Sequence, residues 1–264
     1  MSDDLLARSW DQAAEGYARY FTPRFRPGIE AAQAELIARV ALLPAGPVLF
    51  PACGPGTEIA WIARHLPERM LIGLDLSPGM IEVARRELAD VQNVELEAAD
   101  CRTLSNRFAG TAGAIVSSFG LQQMPKPDEV IADWTRTLAP GGILSVVCWP
   151  RSGDDDGPGA VIRRLLANRV PQPDASWQER LVPAVQAAGG EVLADRPVAF
   201  RQEHESAEIF FDAMTEWGPM RALRLRHGEP FVAELRAEFL RDAAPGPLSQ
   251  VTIARLLVAQ RRPV

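Results

Sequence analysis

The sequence is poor in the residues and patterns on which several protein classes depend. Its 264 residues include only three cysteines, Cys53, Cys101 and Cys148, which are widely spaced. Three scattered cysteines indicate reduced thiols and exclude a disulfide framework. No apolar run reaches the ~18 residues of a membrane-spanning helix. The N-terminal residues also lack the basic and apolar regions of a signal peptide. We therefore expect a cytoplasmic protein without membrane insertion.

Positive charge is also in short supply. Lys and Arg number 28 against 34 Asp and Glu, which gives a formal net charge of −6. Because nucleic-acid binders neutralise phosphates with a basic surplus, DNA and RNA are disfavoured as partners. The acidic run Asp154–Asp156 has no histidine or partner carboxylate at ligand spacing. We expect a solvated loop there and no metal site.

Short apolar runs alternate with helical patterns from residue 48 onwards. The runs cover residues 48–50, 70–74, 94–98, 113–117, 143–148, 191–203 and 251–259. Strands that alternate with helices at this spacing form βαβ units and a parallel sheet. The apolar strands suit a sheet that helices cover on both faces. The pattern predicts an α/β fold with a doubly wound sheet.

Helical patterns flank this alternation at both ends. Residues 1–43 predict a helical N-terminal cap, with one or two short helices in 3–22 and a second helix from about Gly28 to Leu43, separated at Pro23 and Pro27. Residues 44–150 form the predicted ligand-binding core. Residues 151–264 complete the sheet and carry a helical insertion at about 205–246, with helices at about 206–225 and 230–242. This insertion is interpreted either as core packing or as a lid over an acceptor pocket.

The first candidate motif is the run Phe50-Pro-Ala-Cys-Gly-Pro-Gly-Thr57, at the junction of a strand and a helix. Gly54 and Gly56 allow a ligand to approach the backbone, and the helix start presents free N–H groups. The third glycine of a dinucleotide fingerprint is replaced by Ile59, and no phosphate-loop Gly-Lys-Ser/Thr follows. A tight turn with no ligand is the alternative.

Acidic residues follow the next two predicted strands. Asp75 lies about 20 residues beyond the glycines, where a carboxylate can accept hydrogen bonds from ribose hydroxyls. Asp100, followed by Cys101, ends the third strand, where an acid can accept from an adenine amino group and the next backbone N–H can donate to a ring nitrogen. A helix-capping role for Asp75 and a surface turn at Asp100 are the alternatives.

Four segments together resemble the class I S-adenosylmethionine-dependent methyltransferases, in particular their small-molecule group of ubiquinone/menaquinone-type and natural-product enzymes. They are VLFPACGPGTEIAWIA, LIGLDLSPGMIEVAR, VELEAADCRTL and GAIVSSFGLQQMPKPDEVIADWTRTLAPGGILSVVCW. The resemblance implies a seven-stranded, mostly parallel, Rossmann-like sheet of order 3-2-1-4-5-7-6 with an antiparallel last strand. It also implies methyl transfer from S-adenosylmethionine, with S-adenosylhomocysteine as product, to an oxygen or nitrogen of a small, partly apolar acceptor.

The resemblance further implies roles for individual residues. The methionine part and the ribose of the cofactor are expected to contact Ala52, Cys53, Gly54, Gly56 and Ser117. Asp75 is expected to hold the ribose hydroxyls, with Leu76 and Met80 against ribose or adenine. Asp100 and Cys101 are expected at the adenine edge. Gln122 is expected beside the methyl group.

The sequence departs from this family at two places. The acidic residue usual in the first strand is replaced at Phe50-Pro51, so another group must meet the amino-acid end of the cofactor, with Tyr17, Tyr20 and Arg24 as candidates. Relatives often carry histidine where Gln122 stands, and glutamine is no general base. Gln122 is therefore expected to position the acceptor, and His204 and His227 are the alternative bases.

Competing functions remain at this stage. An S-adenosylmethionine-binding protein without methyl transfer, in regulation or other chemistry, fits the two departures. A nicotinamide dehydrogenase lacks support because both tyrosines are N-terminal and no Tyr-x-x-x-Lys pair exists. The expected partner is a small-molecule acceptor, and the expected assembly is a monomer or homodimer.

Overall fold

The computed structural model of the protein describes residues 2–150, 157–171, 174–243 and 245–263. The acidic run Asp154–Asp156, which we expected to be a solvated loop, lies outside these described residues.

Seven strands form one sheet. They are β1 (Val48–Pro51), β2 (Leu71–Asp75), β3 (Val94–Ala98), β4 (Ala112–Ser118), β5 (Leu138–Cys148), β6 (Gly190–His204) and β7 (Leu248–Arg261). Their order is β3-β2-β1-β4-β5-β7-β6. The pairs among β1 to β5 are parallel, and β7 runs antiparallel to β5. The fold class and the strand order implied by the resemblance are confirmed.

Helices connect the strands. They are α1 (Asp3–Ile37), α2 (Thr57–Ala63), α3 (Pro78–Glu87), α4 (Ser105–Phe108), α5 (Pro127–Thr137), α6 (Pro158–Ala167), α7 (Trp177–Ala187), α8 (Ala207–Thr215), α9 (Gly218–His227) and α10 (Glu229–Asp242). Short 3-10 turns occur at Val40–Leu42 and Leu121–Gln123.

Local chemistry explains where α3 begins. The Ser77 hydroxyl accepts a hydrogen bond from the Met80 N–H at 3.0 Å, which satisfies one of the unpaired donors of the first turn. Pro78 occupies the first helical position, where its missing N–H costs nothing. The predicted capping residue is confirmed, and it fixes the start of α3 just beyond Asp75, the last residue of β2.

The predicted break in the N-terminal helix is wrong. α1 runs without interruption through Pro23 and Pro27. An interior proline costs about 3 kcal/mol, whereas burial of one large apolar side chain contributes about 1.5–3 kcal/mol. The buried stripe crosses both prolines and comprises Ala14, Phe21, Phe25, Ile29, Ala32 and Leu36. The summed burial along the stripe outweighs the two local penalties.

The predicted single helix at about 206–225 is also wrong, because α8 ends at Thr215 and α9 begins at Gly218. Pro219 lies in the first turn of α9 and lacks the N–H that a continuous helix would need there. The side chain of Trp10 closely contacts the Gly218 backbone, since a Cβ added at that glycine would overlap the Trp10 ring.

The chain divides into two compact units. Unit 1 comprises Met1–Arg26, Ser152–Asp174 and Ala199–Ile253, and unit 2 comprises Pro27–Arg151, Ala175–Val198 and Ala254–Val264. The core of unit 2 includes the fully buried Leu49, Ile115 and Trp134. A second core, in unit 1, joins side chains of α6, α8, α9 and α10, among them Ile162, Phe211, Met220 and Phe239. Most of the aromatic and apolar residues of 209–220 are therefore core residues of unit 1.

Two further observations concern membrane-spanning helices and metal-binding groups. No helix in the described ranges combines the length and hydropathy needed to cross a membrane. Within those same ranges, no three His, Cys, Asp or Glu side chains come together as a metal-binding group.

Candidate functional site

The turn between β1 and α2, residues 52–57, is held in an unusual backbone conformation. Ala52, Gly54 and Gly56 all have positive φ angles, of 53°, 52° and 78°. A Cβ added at Gly56 would lie 2.8 Å from Leu88 Cδ1 and 3.1 Å from Ala84 Cβ, so this position packs closely against α3, and its positive φ also favours glycine. A Cβ added at Gly54 would meet no atom within 4 Å, so the backbone there faces open space. We call residues 52–57 the glycine turn, and Gly54 is the position in it that a ligand can approach.

Asp75, at the end of β2, is bonded to the glycine turn. Its Oδ2 accepts from the Gly54 N–H at 2.9 Å, and its Oδ1 accepts from the Ser77 N–H at 2.9 Å. The Asp75 carboxylate therefore joins β2, the start of α3 and the glycine turn. Each carboxylate oxygen can accept more than one hydrogen bond, so a sugar hydroxyl is a chemically suitable additional donor. The capping role and the ligand role of Asp75 are compatible.

Gly120 lies two residues after β4 and packs against the glycine turn, and sequence analysis missed it. A Cβ at Gly120 would overlap the Cβ of Ala52, so only glycine allows Ala52 to keep its left-handed conformation. Burial raises the pKa of the Cys101 thiol, and a hydrogen bond from the Ala52 backbone N–H partly opposes this rise. The Cys101 thiol therefore also lies against the turn. The ends of β1, β3 and β4 thus meet at one place, as parallel strands require.

Asp100 and Cys101 follow β3, and both accept hydrogen bonds from other side chains. The Asp100 carboxylate accepts from the Arg102 guanidinium at 2.7 and 2.9 Å, and this pairing lowers the Asp100 pKa. The Cys101 carbonyl accepts from the Trp134 indole N–H at 2.7 Å. These bonds fix the backbone of the segment after β3 and hold Asp100 ionised as an acceptor.

Ser117 and Gln122, expected to contact the cofactor and the acceptor, both donate hydrogen bonds to backbone carbonyls of the protein. The Ser117 hydroxyl is buried and donates to the Pro51 carbonyl at 2.8 Å, so it joins β4 to β1. Gln122 donates its amide Nε2–H to the Phe119 carbonyl, which leaves its Oε1 buried without a hydrogen bond. The Ser118 hydroxyl is likewise buried and forms no well-aligned hydrogen bond among the described residues, but it lies close to the Glu58 carboxyl group. Two polar atoms near the end of β4 thus lack well-aligned hydrogen bonds.

Glu58 is the second residue that sequence analysis missed. It lies in the first turn of α2, one residue after the glycine turn, and only 9% of its surface is exposed. Burial raises its pKa to about 7, and the nearby Ser118 hydroxyl partly opposes the rise. No cationic side chain pairs with Glu58 among the residues that the structure describes. An acid directly after Gly-x-Gly-Thr is the sequence signal that could have identified it.

The buried thiols cannot supply a nucleophile at neutral pH. Cys53, Cys101 and Cys148 are all free and buried. Burial raises the pKa of Cys101 and of Cys148 to about 12. Burial also raises the Cys53 pKa, and the negative charge of Asp75 adds to this effect. All three therefore remain neutral thiols, so Cys53 contributes a small apolar wall next to Gly54.

The remaining predicted residues fall into two groups. Leu76 is half-buried after β2, and Met80 is 2% exposed in α3, so both lie in unit 2 with the glycine turn and Asp75. Tyr17, Tyr20, His204 and His227 belong to unit 1. His227 is exposed at the end of α9 with its ring 4.8 Å from that of Phe231. Burial, together with the charge of Arg24, lowers the His204 pKa to about 4, which makes it a weak base.

The residues of unit 2 fit a nucleoside cofactor that carries an amino-acid end. Gly54 offers an approach to the backbone, and Asp75 offers acceptor capacity for hydroxyl groups. Glu58 offers a buried carboxylate without a cationic partner, and Ser118 and Gln122 offer unsatisfied polar atoms. Buried polar groups are normally paired, so these unpaired atoms favour a polar ligand at this edge of the sheet.

The strand order and this polar edge define a class I Rossmann-like nucleoside-cofactor fold. Residues 48–142 match the family described as a methyltransferase domain. The YcgJ protein from Bacillus subtilis has the same fold, with a TM-score of 0.58, 15% identity and coverage of 89% of this chain and 100% of that one. Residues 48–142 therefore carry a methyltransferase domain, within a sheet that has the same fold as YcgJ.

The chain is also similar to individual proteins, by sequence and by fold. The chain is 34% identical to trans-aconitate 2-methyltransferase of Streptomyces avermitilis over 178 residues, which cover 66% of this chain and 60% of that protein. The similarity therefore spans less than two thirds of that relative. SpnF, described as a cyclase, also shares the fold, with a TM-score of 0.52, 21% identity and coverage of 88% of this chain and 80% of that one. The fold alone does not determine the reaction.

Proposed function

We propose that this protein transfers a methyl group from S-adenosylmethionine to an oxygen or nitrogen of a small, partly apolar acceptor. The observation that carries the proposal is the bond between Asp75 and the Gly54 N–H, which joins an acceptor carboxylate to a glycine that faces open space. The matched methyltransferase domain covers this whole region.

The residues of unit 2 would divide the binding of the cofactor among them. Asp75 would accept hydrogen bonds from the ribose hydroxyls while it keeps the Gly54 and Ser77 N–H groups. Leu76 and Met80 would contact the ribose or the adenine. Asp100, held ionised by Arg102, would accept from the adenine amino group, and the Cys101 N–H would donate to a ring nitrogen.

Glu58 is our candidate for the partner of the cofactor's ammonium group. The sequence offers no acid in β1, where Phe50 and Pro51 stand. A buried carboxylate without a cationic partner is costly, and an ammonium ligand would remove that cost. This assignment replaces Tyr17, Tyr20 and Arg24, which belong to unit 1, as the first group to test for the amino-acid end.

The proposed chemistry does not require a strong base. S-adenosylmethionine supplies a methyl group on a positively charged sulfur, which is already a strong electrophile. The chain must therefore mainly orient the acceptor and exclude water. Gln122 would orient the acceptor through its free Oε1, and an acidic phenol, a carboxylic acid or an amine would need little help in losing a proton.

The acceptor itself belongs to this proposal. Relatives named trans-aconitate 2-methyltransferase favour a small acid, although the matched segments span 48%, 60% and 65% of three such relatives. We further propose that the protein acts in the cytoplasm, as a monomer or homodimer, and not on nucleic acid. The net charge of −6 supports the last point.

A direct test combines binding with turnover. The full chain is incubated with S-adenosylmethionine carrying a labelled methyl group and with a panel of acids, phenols and amines that includes trans-aconitate. Calorimetry with S-adenosylhomocysteine and with NADH is run in parallel. We expect binding of S-adenosylhomocysteine, none of NADH, and a labelled product. Cofactor binding without any labelled product would favour the alternative, a cofactor-binding protein with another role. Binding of NADH alone would overturn the assignment.

A further inference from the structure

Among the described residues of unit 1, four side chains have a buried nitrogen without a hydrogen-bond partner: Arg24, Arg169, His204 and Arg221. Arg169 and Arg221 form ion pairs with Glu238 and Glu216, whereas Arg24 and His204 form none with the described residues. His204 is 5% exposed, and both of its ring nitrogens are without a hydrogen bond. Arg24 is half-buried, and its Nε–H also lacks an acceptor. Unpaired buried polar atoms are rare in folded proteins, and each one destabilises the folded state. The two residues without an ion pair therefore call for an explanation.

The two residues are neighbours in unit 1. The charge of Arg24 is close enough to His204 to contribute to its lowered pKa. Because burial and Arg24 hold the ring neutral, it presents one N–H donor and one acceptor at neutral pH. No carboxylate forms an ion pair with Arg24 among the residues that the structure describes. Arg24 makes one hydrogen bond, from Nη1 to the Tyr20 carbonyl at 2.6 Å, which leaves most of its five donors for another group.

The position of each residue in its own element explains its burial. In β6, burial alternates, so that Phe200, Gln202 and His204 share the inner face. In α1, Arg24 follows Phe21 by three positions and Tyr17 by seven, which places the three side chains on one helix face. Gln202 has a partner, because its Nε2 donates to Thr252 Oγ1 at 2.8 Å. His204, two residues further, has none.

One aromatic ring contacts His204, and a row of aromatic rings lies on the α1 face that carries Arg24. The ring of Phe210 lies 4.9 Å from that of His204 with an interplanar angle of 87°. On α1, the Tyr17 ring stacks on that of Phe21 at 5.6 Å, and Phe21 packs against Phe25 at 5.4 Å and against Trp217 at 6.4 Å. A guanidinium with free donors near a neutral imidazole, with aromatic side chains on α1 and α8, suits an anion with an apolar body.

We propose that Arg24 and His204 form a binding site for the carboxylate of a small organic acid with an apolar or aromatic body. A planar guanidinium with free N–H groups matches a carboxylate in shape and charge, and the His204 N–H would add a further donor. The aromatic side chains of α1 and α8 would contact the apolar body of the acid. The inference stands on unit 1 alone and holds whether or not the chain transfers a methyl group.

The test measures binding heat and therefore does not depend on catalysis. trans-Cinnamate, its neutral amide cinnamamide, and sulfate are titrated into the full chain by calorimetry. We expect saturable binding of cinnamate, with cinnamamide at least about tenfold weaker because it lacks the charge that the guanidinium recognises. Absence of saturable cinnamate binding, equal binding of cinnamamide, or tighter binding of sulfate would each overturn the proposal.

Variants then locate the site. Arg24→Met and His204→Phe are compared with Arg19→Met, which removes the same charge from an exposed position on the same helix. We expect Arg24→Met to weaken cinnamate binding at least about tenfold, His204→Phe about threefold or more, and Arg19→Met less than about twofold. If Arg24→Met fails to melt cooperatively, Arg24→Lys, which keeps the charge but loses the planar fork, must show at least about threefold weaker binding. Unchanged affinity in a folded Arg24 variant would mean that Arg24 only anchors the Tyr20 carbonyl.

Discussion

The polar side chains at the glycine turn of unit 2 have hydrogen-bond partners within the protein, whereas those of the Arg24–His204 pair of unit 1 largely lack them. At the turn, the Asp75 carboxylate and the Ser117 hydroxyl are bonded to backbone groups on neighbouring elements. In unit 1, the Nε–H of Arg24 and both ring nitrogens of His204 have no partner. The hydrogen bonds of the first arrangement come from the protein itself, whereas the proposed carboxylate ligand would supply partners to the second.

This difference bears on how each region recognises its ligand. The turn presents rigid backbone and spare acceptor capacity, so that a ligand adds hydrogen bonds to groups that are already in place. Unit 2 also has exceptions, among them Glu58, which pairs with no cationic side chain of the described residues, and the buried Oε1 of Gln122, which has no hydrogen bond. Variants that separate scaffold from ligand contacts test the comparison.

The largest expected effect is at Asp75. Asp75→Ala removes the bonds to the Gly54 and Ser77 N–H groups as well as the proposed ribose contacts. A loss of about 2–3 kcal/mol in binding of S-adenosylhomocysteine corresponds to about 30–150-fold in affinity. Calorimetry measures the change, with Asp90→Ala, an exposed acid in the same unit, as the control. A loss below about threefold in a folded variant would show that Asp75 serves only as scaffold.

A second prediction compares alanine substitutions at two glycines with positive φ. Gly54→Ala and Gly110→Ala both place a methyl group where no atom lies within 4 Å, at φ of 52° and 66°. Both should lose about 1 kcal/mol of stability from left-handed strain. Only Gly54→Ala should weaken S-adenosylhomocysteine, by about tenfold, because only its methyl group would occupy the ligand approach. Equal affinity in the two variants would contradict a ligand at Gly54.

Gly56→Ala extends this comparison from ligand affinity to the stability of the folded protein. Its new Cβ would lie 2.8 Å from Leu88 Cδ1 and 3.1 Å from Ala84 Cβ. Overlap adds to the left-handed strain, so we expect a loss of about 2–3 kcal/mol in the free energy of unfolding, larger than at Gly54. Denaturant titrations of the three variants give the order. A Gly56→Ala protein as stable as Gly110→Ala would mean that α3 moves away at little cost.

The third prediction uses the pH dependence of Glu58. The folded protein holds the Glu58 proton up to about pH 7, above the ordinary value of 4.5, so the free energy of unfolding falls as pH rises between these values. Glu58→Gln removes this dependence. Because an ammonium ligand requires the ionised carboxylate, affinity for S-adenosylhomocysteine should rise with pH up to about 7 in the native protein and stay flat in Glu58→Gln.

Calorimetry at pH 5.5 and pH 8 measures this prediction. We expect the native protein and Glu58→Gln to differ by about tenfold or more at pH 8 and much less at pH 5.5, since a tenfold change corresponds to about 1.4 kcal/mol. Glu87→Gln, an exposed acid of α3, is the control. A variant that binds as tightly as the native protein at pH 8 would rule out Glu58 as the ammonium partner, without affecting the assignment of Asp75.

The sequence predicts the glycine turn well because its signals are local. β3 lies at Val94–Ala98 as predicted, and the Ser77 cap depends only on residues of the same turn. The continuous α1 could not be predicted from Pro23 and Pro27, since propensity rules there compete with burial that only the folded chain supplies. The raised pKa of Glu58 could not be predicted for the same reason, because it comes from burial, although the acid directly after Gly-x-Gly-Thr is visible in the sequence. The interaction of Arg24 with His204 joins residues of α1 and β6, far apart in sequence, which no local spacing reveals.

The smallest expected effect is at Gln122. Its Nε2–H already bonds to the Phe119 carbonyl, so the side chain is held by the scaffold, while its Oε1 remains free for an acceptor. Gln122→Ala removes a single neutral contact, which is worth about 0.5–1.5 kcal/mol, and should lower kcat no more than about tenfold with cofactor affinity unchanged. Gln122→His should stay active, because an imidazole can also orient an acceptor. Steady-state kinetics and calorimetry on the same preparations measure both quantities. Complete loss of turnover in Gln122→Ala with intact cofactor binding would mean that Gln122 acts in the chemical step and not merely in positioning.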